Sequence, residues 1–461
     1  MRAAFASAPP VRIAVVGGGF AGLAAAQRLA AAGVRVSLFE KSAHPGGLAM
    51  TFSFGGTEIE KYYHHWFTSD EDILDVIREL GLGDRVWWGS PVMGLFCAGR
   101  IHRFTSPADL LRFRPFSARA KARFALVTLF LQRCSRRELF EDVTADAWLR
   151  RWAGREVYET VWGPLLRAKF GRHAESISMA WIWSKMRLRG RSRKGGGTRE
   201  LLGYVRGGFG VVAKALVEDI RRRGGDVHLG ERVESIRTVG EGRDRFGIAT
   251  PRRRETFTSV ISTVAPPLLA ALAPDLAAED ARRLGAVEHS AILCTLLVLR
   301  RRFSPIYWMN VSDRTIPFGG LIEHTNYVPA ETYGGRHLMY VSHYVYPDDE
   351  IYSLDAAGVY ARYRPALARI QPAFADDWVE ARRTFRDRWA QPIVTADYHR
   401  RLLPLAGPLP GLYLATMAQV YPEDRGTNYA VRIGRAAADR ALEDLPRDGE
   451  MGRERRLASG P

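Results

Sequence analysis

A glycine-rich turn near the N-terminus constrains the fold of this chain more than any other feature. Residues 11–16 form a short, mostly apolar run, the segment 17–22 (GGGFAG) follows at once, and an alanine-rich segment continues to Ala32. After Gly33, a second apolar run ends at Glu40. This order predicts a strand, a tight turn, a helix and a second parallel strand, which together form a βαβ unit of about thirty residues.

Each glycine of this turn has a physical role in a dinucleotide site. Gly17 permits the tight turn, Gly19 lets a diphosphate approach the backbone because it has no side chain, and Gly22 lets helix and strand pack closely. The free N–H groups and the positive dipole end of the helix would face the phosphates. Glu40 can accept hydrogen bonds from ribose hydroxyls and would repel a 2′-phosphate. The whole arrangement predicts a dinucleotide site, against the alternative of a glycine-rich turn without a ligand.

A second glycine pair follows the acid and narrows the choice of nucleotide. Pro45-Gly46-Gly47 lie just beyond Glu40, and this spacing resembles FAD proteins of the flavin-containing amine oxidoreductase superfamily, which includes monoamine oxidases, protoporphyrinogen oxidases and phytoene desaturases. The resemblance implies FAD as cofactor. It also implies an α/β fold, a Rossmann-type FAD-binding domain (glutathione-reductase-like) with an inserted α+β substrate domain. Many members have arginine after the glycine pair, where this chain has Leu48.

Two later segments extend the resemblance. Residues 207–210 (GGFG) open an amphipathic segment, after which Val233 would meet the adenine through its backbone. Residues 411–415 resemble the last strand of the FAD domain, and the N-terminus of the helix that follows would point at the flavin ring, where its dipole stabilises negative charge. The family continues this strand with a glycine and an acid, whereas this chain has Thr416-Met417.

These motifs together define the predicted FAD site. Its candidate residues are Gly17, Gly19, Phe20, Ala21, Gly22, Glu40, Lys41, Gly46, Gly47, Val233, Gly426, Thr427, Asn428 and Tyr429.

Candidates for acid–base chemistry are most concentrated in the segment 60–67 (EKYYHHWF). Histidine titrates near neutral pH, so His64 and His65, with Tyr62, are the candidate catalytic residues, although they could instead be structural members of an aromatic layer. A metal site is not expected, because adjacent strand residues point to opposite faces and no acidic partner is evident. By resemblance, an amine oxidase would have a lysine near the flavin beyond Lys214, and the sequence has none there. This argues against a simple amine oxidase.

Positive charge is concentrated in two stretches. The net charge is +17; residues 99–140 hold ten basic and two acidic residues, and residues 185–199 hold seven basic residues and no acid. The first stretch contains the apolar run 124–131, flanked on both sides by basic residues, a pattern that favours an anionic membrane surface. The alternative is a buried core helix with solvated, charged ends. No zinc finger, helix-turn-helix or RNP signature supports nucleic-acid binding.

Length and composition limit the class of protein. A chain of 461 residues is too long for one compact core, and 46% hydrophobic with 25% charged residues is an ordinary globular composition. The three cysteines, Cys97, Cys134 and Cys294, exclude a disulfide scaffold and indicate a reducing compartment. No window has the eighteen apolar residues of a spanning helix, and the N-terminus lacks a signal-peptide pattern. We therefore expect a cytoplasmic protein, peripheral on the inner face of the cell membrane if the basic apolar stretch binds lipid.

The expected organisation alternates cofactor and substrate parts. Three FAD-binding parts (1–70, 204–266 and 395–444) alternate with a helical substrate- or membrane-facing part (71–203) and a mixed-sheet substrate domain (267–394), and a disordered tail follows (445–461).

These features predict an FAD-dependent oxidoreductase of the desaturase or oxidase type, which passes a hydride between flavin N5 and a hydrophobic substrate such as an isoprenoid, a lipid-linked molecule or a tetrapyrrole. The aromatic segments 307–310 and 343–347 are candidates for the pocket wall. One alternative resembles UDP-galactopyranose mutase, a non-redox flavoenzyme, in which Arg167, Arg172 or Arg206 would clamp a diphosphate. Another is a membrane-surface protein that keeps FAD only as structure. The oligomeric state is not predicted.

Overall fold

The computed structural model describes residues 11–192, 200–240 and 244–445. The predicted absence of a signal peptide in residues 1–10, the disordered tail beyond residue 445 and the last part of the second basic stretch therefore lie outside the described residues.

The strands are numbered in chain order, with the first ten lying in the N-terminal half. They are β1 (Arg12–Val16), β2 (Arg35–Glu40), β3 (Thr51–Phe54), β4 (Thr57–Glu60), β5 (Trp66–Phe67), β6 (Val86–Gly89), β7 (Met93–Cys97), β8 (Arg100–Arg103), β9 (Leu202–Val205) and β10 (Asp226–Leu229). The later strands are β11 (Ser235–Thr238), β12 (Phe246–Ala249), β13 (Arg254–Phe257), β14 (Ser259–Ser262), β15 (His289–Leu299), β16 (Trp308–Val311), β17 (Gly320–Glu323), β18 (His337–Val345), β19 (Val379–Pro392) and β20 (Leu412–Leu414).

Fifteen α-helices lie within the described residues. In chain order they are α1 (Phe20–Ala31), α2 (Glu71–Glu79), α3 (Pro107–Arg112), α4 (Ala118–Arg133), α5 (Glu138–Glu141), α6 (Ala145–Trp152), α7 (Arg155–Val157), α8 (Gly163–Phe170), α9 (Met179–Arg191), α10 (Gly210–Arg222), α11 (Pro266–Leu272), α12 (Ala278–Gly285), α13 (Glu350–Ser353), α14 (Ala356–Ile370) and α15 (Thr427–Glu443).

Five strands from distant parts of the chain form one parallel sheet, in the order β10-β2-β1-β14-β20. Alternate residues of β1 point to opposite faces. Ile13 and Val15 pack with α1, α10 and α15, while Ala14 and Val16 pack with β11 to β13 and α11. Because both faces are covered, the central strand is apolar from Ile13 to Val16, as buried parallel strands usually are. The predicted α/β fold with a Rossmann-type sheet and an inserted α+β region is confirmed.

A seven-stranded mixed sheet forms the larger inserted layer, in the order β19-β15-β18-β17-β16-β7-β8. Its pairs are antiparallel except for β16 with β7, where Trp308 lies opposite Met93. The stretch 71–203, expected to be helical, therefore also contributes strands to this sheet. The apolar run 93–97 is short and buried, a pattern that periodicity alone does not distinguish from a helical segment.

Helices α3 to α9 enclose a core of their own, built from large side chains such as Tyr158, Phe170 and Trp181. Helix α4 lies on the outside of this group. Within α4, all of whose residues are described, the buried positions are Ala120 and Leu131, whereas Leu126 is 66% and Phe130 49% exposed. The apolar run 124–131 is thus not the buried core helix that was the alternative interpretation of the sequence.

Candidate active site

The glycine turn after β1 has the geometry that its sequence indicates. Gly17 adopts φ +108°, which L side chains rarely adopt, and its N–H donates to the carbonyl of Phe39 at 2.8 Å. A Cβ atom on Gly22 would lie 1.9 Å from the carbonyl oxygen of Gly17. The start of α1 therefore packs directly on the turn, and only glycine fits at position 22.

The second glycine pair lies against the first turn. The N–H of Gly46 donates to the carbonyl of Gly18 at 2.8 Å. Gly47 has φ +58°, and a Cβ atom on it would lie 3.0 Å from the Cα atom of Gly19. The fold thus brings two predicted cofactor segments, separated by more than twenty residues, into backbone contact.

Glu40 holds the glycine turn in place. Its Oε2 atom accepts a hydrogen bond from the N–H of Gly18 at 2.6 Å, and its Oε1 atom accepts one from the N–H of Ser42 at 2.8 Å. A carboxylate has about four acceptor sites, so lone pairs remain for a ribose hydroxyl. Leu229 is in register with Glu40 on the neighbouring strand, which places the following segment with Val233 at the same edge. Contact of Val233 with adenine stays a prediction, as does a role for the exposed Lys41.

Two helices present their N-termini to this edge. Helices α1 and α15, wholly within the described residues, have Gly19 and Gly426 as N-cap residues, which provide no side-chain cap, and neither helix has an acid in its first turn. They are packed together, since a Cβ atom on Gly434 would lie 2.1 Å from the carbonyl oxygen of Ala21. Gly434 is about 10 Å along the axis from the start of α15. Uncapped N–H groups at buried helix ends require partners, and the diphosphate and flavin of FAD fit them.

The first turn of α15 is fixed by its own side chains. The Oγ1 atom of Thr427 accepts a hydrogen bond from the indole N–H of Trp66 at 2.8 Å, and the Oδ1 atom of Asn428 accepts one from the N–H of Ile73 at 3.1 Å. The ring of Tyr429 lies beneath the guanidinium of Arg432, at 5.2 Å. These side chains are therefore used by the protein itself, and they join the segment 60–67 to the helix end.

The three candidate catalytic residues face different surroundings. Tyr62 is buried with its ring 6.3 Å from that of Phe385. The Nδ1 atom of His64 is 2.6 Å from the carbonyl oxygen of Tyr62, and that of His65 is 3.2 Å from the hydroxyl of Tyr307. Burial lowers the pKa of His64 to about 4 and of His65 to about 3, so both rings are neutral at pH 7. The structure does not bring the three together, and their catalytic role stays a prediction.

Partly exposed aromatic rings line one side of the same region, and we call Tyr63, His65, Trp308 and Tyr344 the aromatic wall. The ring of Trp308 lies 4.8 Å from Tyr63, edge to face, and 5.7 Å from His65. The hydroxyl of Tyr63 is 2.7 Å from that of Ser342, which shares a face of β18 with Tyr344. These rings retain exposed surface, unlike the surrounding core.

Beside the wall lies a group of charged side chains, Lys169, Lys185, Asp424 and Arg425, which we call the cationic cluster. The Oδ2 atom of Asp424 accepts hydrogen bonds from both lysine Nζ atoms at 2.6 Å. Arg425 donates to the hydroxyl of Tyr344 at 2.8 Å. Burial opposes the ionisation of Asp424, but the two lysines outweigh it and hold the pKa of this carboxyl far below its usual range. Burial lowers the pKa of Lys185 to about 8.

Sequence reasoning missed the cationic cluster, because the family resemblance led us to expect a lysine only beyond Lys214. The sequence did contain a signal for this cluster, since the chain has 60 arginines and only seven lysines. Where arginine is the usual cation, a lysine indicates a position that needs a compact point charge. Two of the three arginines expected to clamp a diphosphate lie at the surface: Arg172 pairs with exposed Asp348, and Arg206 is exposed after β9.

Two further findings concern the described residues. Within 11–192, 200–240 and 244–445, no three histidine, cysteine, aspartate or glutamate residues are grouped so that they could hold a metal ion. In the same part of the chain, no helix combines the length and the apolar character that crossing a bilayer requires.

Comparison with known proteins gives one family match across nearly the whole chain. The family described as flavin containing amine oxidoreductase matches residues 20–442. A coproporphyrinogen III oxidase of Propionibacterium freudenreichii subsp. freudenreichii is 27% identical over 186 residues, which span 38% of this chain and about a third (34%) of that relative.

Solved structures of similar fold cover nearly all of the chain. A protein from Exiguobacterium sp. 255-15 assigned as a protoporphyrinogen oxidase superimposes with a TM-score of 0.73 at 18% identity, over 95% of this chain and 100% of that one. Reduced UDP-galactopyranose mutase gives 0.72 at 14% identity, over 95% and 97% of the two chains. At these identities the likeness concerns the fold alone.

Proposed function

Because the chain belongs to the flavin-containing amine oxidoreductase family, we propose that it oxidises a carbon centre of a hydrophobic substrate that lies against the aromatic wall. Membership makes the protein a flavin-dependent oxidoreductase with FAD as its cofactor. The proposal concerns the substrate and the type of reaction, which the family as a whole leaves open.

The aromatic wall is the observation that carries this proposal. Its rings are held rigidly by edge-to-face contacts and by the hydrogen bond between Tyr63 and Ser342, yet they keep exposed surface. Rings of this kind offer apolar area to a flat or unsaturated molecule at little entropic cost. FAD, when bound, supplies the acceptor for a hydride equivalent.

The protein's own groups suit this chemistry better than amine oxidation. The cationic cluster carries three cations and one carboxylate, a net charge of +2, so it repels a protonated amine. The neutral ring of His65 next to Trp308 brings no charge to the wall. The uncapped N-terminus of α15 would stabilise negative charge that develops on the cofactor side.

The outer face of α4 supports a second part of the proposal, delivery of the substrate from an anionic membrane surface. Of the ten large apolar side chains that are exposed among the described residues, seven lie between residues 111 and 152. The exposed Arg119, Arg133 and Arg136 flank them. An apolar face with arginine at its edges suits the interface of an anionic bilayer. This surface belongs to the helical group that also carries Lys169 and Lys185.

Anaerobic mixing of FAD-loaded protein with a small panel of compounds tests the reaction type. The panel contains coproporphyrinogen III, an isoprenoid polyene, and putrescine. We expect one of the first two compounds, each with a large unsaturated or tetrapyrrole body, to bleach the visible flavin band, and putrescine to leave it unchanged. Trp308→Ala should slow the bleaching at least tenfold, while Trp88→Ala, at an exposed tryptophan of β6, should not. Rapid bleaching by putrescine would refute the proposal.

A non-redox mutase is the second candidate, and the cationic cluster is the observation that favours it, because paired lysines and an arginine can hold a diphosphate. UDP-galactopyranose added to reduced protein distinguishes the two functions. A mutase would convert the sugar while consuming no electrons, whereas the oxidoreductase would leave the sugar nucleotide unchanged.

A further inference from the structure

We propose that the cationic cluster binds an anionic group, a carboxylate or a phosphate, carried by the substrate. This inference rests on the proposed function, which places the apolar part of the substrate on the aromatic wall. The cationic cluster would bind the other, charged part of the same molecule. The substrate would then be an amphiphile with a fixed orientation, its anion held at Lys169, Lys185 and Arg425.

The charge balance of the cluster favours an anionic ligand. One carboxylate, Asp424, accepts hydrogen bonds from two ammonium groups at 2.6 Å each. Arg425 adds a third cation, which also feels the charge of Asp424 but whose hydrogen bonds go to the neutral Gln391 and Tyr344. Partly buried cations without a matching anion are costly, and the cost falls when a ligand supplies the missing charge. A purely structural ion pair would need only one lysine.

Both lysines of the cluster keep unused hydrogen-bond donors. An ammonium group has three N–H donors, and the bond to Asp424 uses one on each lysine. The side chains of Lys169 and Lys185 stay 13% and 28% exposed, so a ligand can reach them. Trp181 donates its indole N–H to the other oxygen of Asp424 at 3.3 Å, which holds the carboxylate in place beneath the two lysines.

The cationic cluster lies next to the aromatic wall. Arg425 bonds to the hydroxyl of Tyr344, and the Nζ atom of Lys169 lies 5.5 Å from the centroid of that ring. The cluster therefore meets the aromatic wall at a wall residue. An apolar body on the wall and an anion in the cluster can belong to one molecule of modest size.

The helix that carries Lys185 also connects the cluster to the outer surface. Trp183 and Arg187 donate hydrogen bonds to the carbonyl of Cys134, the residue after α4, at 2.9 and 2.8 Å. Helix α9 thus has the exposed apolar helix at one side and the cluster at the other. This arrangement suits an amphiphilic substrate that arrives from a lipid surface.

Binding of three small aromatic probes to the FAD-loaded protein, measured by calorimetry, tests the proposal. 1-Naphthoate carries a carboxylate, 1-naphthyl phosphate carries a phosphate, and 1-naphthamide is a neutral match of the first. We expect at least one anion to bind about tenfold or more tightly than the amide, as a charge-assisted hydrogen bond would give. The preferred anion identifies whether the natural group is a carboxylate or a phosphate.

Variants of the two lysines test whether the cationic cluster causes the preference for the anionic probe. Lys185→Met and Lys169→Met should each remove most of the preference for the anion and leave the affinity for 1-naphthamide unchanged, while Lys185→Arg should retain it. Asp424 keeps one lysine partner in either methionine variant. Lys214→Met is the matched control, because Lys214 is likewise a lysine paired with a carboxylate, that of Glu58, and it should preserve the preference.

The outcomes separate this proposal from the one on which it rests. Equal affinity of the wild-type protein for all three probes overturns the anion site and leaves the aromatic wall intact. Absence of binding by every probe counts against both proposals. If the methionine variants lower the affinity for the anionic probe and for the amide by the same factor, the lysines are structural and the proposed anion site is wrong. Loss of bound FAD in these variants would show that the cluster serves the cofactor instead, which also contradicts the proposal.

Discussion

The hydroxyl of Tyr204 donates to both carboxylate oxygens of Glu60, at 2.8 and 3.0 Å. The N–H of Phe209 donates to the Oε1 atom at 2.7 Å, and Tyr340 donates to the backbone carbonyl of Glu60 at 2.6 Å. Only 1% of Glu60 is exposed. One buried acid thus joins the segment 60–67 to β9, to the start of α10 and to the mixed sheet. These contacts fix the position of the aromatic wall.

This buried acid should make stability depend on pH. Burial raises the pKa of Glu60 from 4.5 to about 7, although the hydrogen bonds from Phe209 and Tyr204 oppose the rise. Between these two values the folded protein binds the proton more readily than the unfolded chain. The contribution of Glu60 to stability is therefore greatest below about pH 4.5 and is lost as pH rises through about 7.

Glu60→Gln removes this titration while keeping the size of the side chain. Measured by denaturant unfolding at pH 5 and pH 8, the difference in unfolding free energy between variant and wild type should change by up to about 3 kcal/mol in favour of the variant at the higher pH. Glu380→Gln, in an exposed pair with Arg336, should show no such change. Parallel pH curves for wild type and Glu60→Gln would contradict the assignment.

Gly22→Ala should destroy the cofactor site. The added methyl group would overlap the backbone oxygen of Gly17 at 1.9 Å, and neither backbone can move without opening the contact between α1 and β1. We expect a protein without bound FAD and a loss of several kcal/mol in stability. Gly285→Ala, at the end of α12 with open space around it, is the control and should fold with its FAD. A yellow, stable Gly22→Ala protein would show that the turn is placed wrongly.

Glu40→Gln should weaken FAD binding without removing the fold. The carboxylate accepts N–H groups from Gly18 and Ser42, and an amide cannot accept both, so one buried donor loses its partner at a cost of about 1–3 kcal/mol. We expect a loss of FAD affinity of about tenfold or more, measured by titration of the apoprotein with FAD. Glu218→Gln, on the exposed side of α10, should bind FAD like the wild type. Equal FAD affinities of Glu40→Gln and the wild type would contradict the assignment of Glu40 to the cofactor site.

The outer face of α4 should control binding to lipid. Leu126 and Leu129 are 66% and 44% exposed, and changing both to serine removes apolar area that would enter the interface. Sedimentation with phosphatidylglycerol vesicles should fall several-fold, whereas Val239→Ser, at a residue 54% exposed elsewhere, should have no effect. Wild-type protein should bind phosphatidylcholine vesicles weakly, because the flanking arginines then lack an anionic surface. Undiminished sedimentation of the double variant would rule out this face.

Local features of the chain made the cofactor half of the protein predictable. The strand, the turn Gly17 to Gly22 and the helix are contiguous, and each glycine acts through backbone conformation or the lack of a Cβ atom within that short unit. The family resemblance then assigned the second pair, Gly46-Gly47, to the cofactor site, and the structure shows that this pair contacts the glycine turn. The sequence did not indicate that burial among aromatic rings lowers the pKa of His64 and His65 far below neutral pH, and their catalytic role stays a prediction.

The sequence by itself determined the βαβ unit and the acid that supports it, because these depend on neighbouring residues and on backbone geometry. The FAD cofactor came from the resemblance of the motifs to a known family. Only the tertiary structure decided which charged side chains pair and which apolar side chains stay exposed. Asp424 meets Lys169 and Lys185 across 255 and 239 residues. The apolar run of α4 exposes Leu126, Leu129 and Phe130, although its sequence equally suits a fully buried helix. Charge pairing and burial are properties of the surroundings, and distant segments supply those surroundings only when the chain has folded.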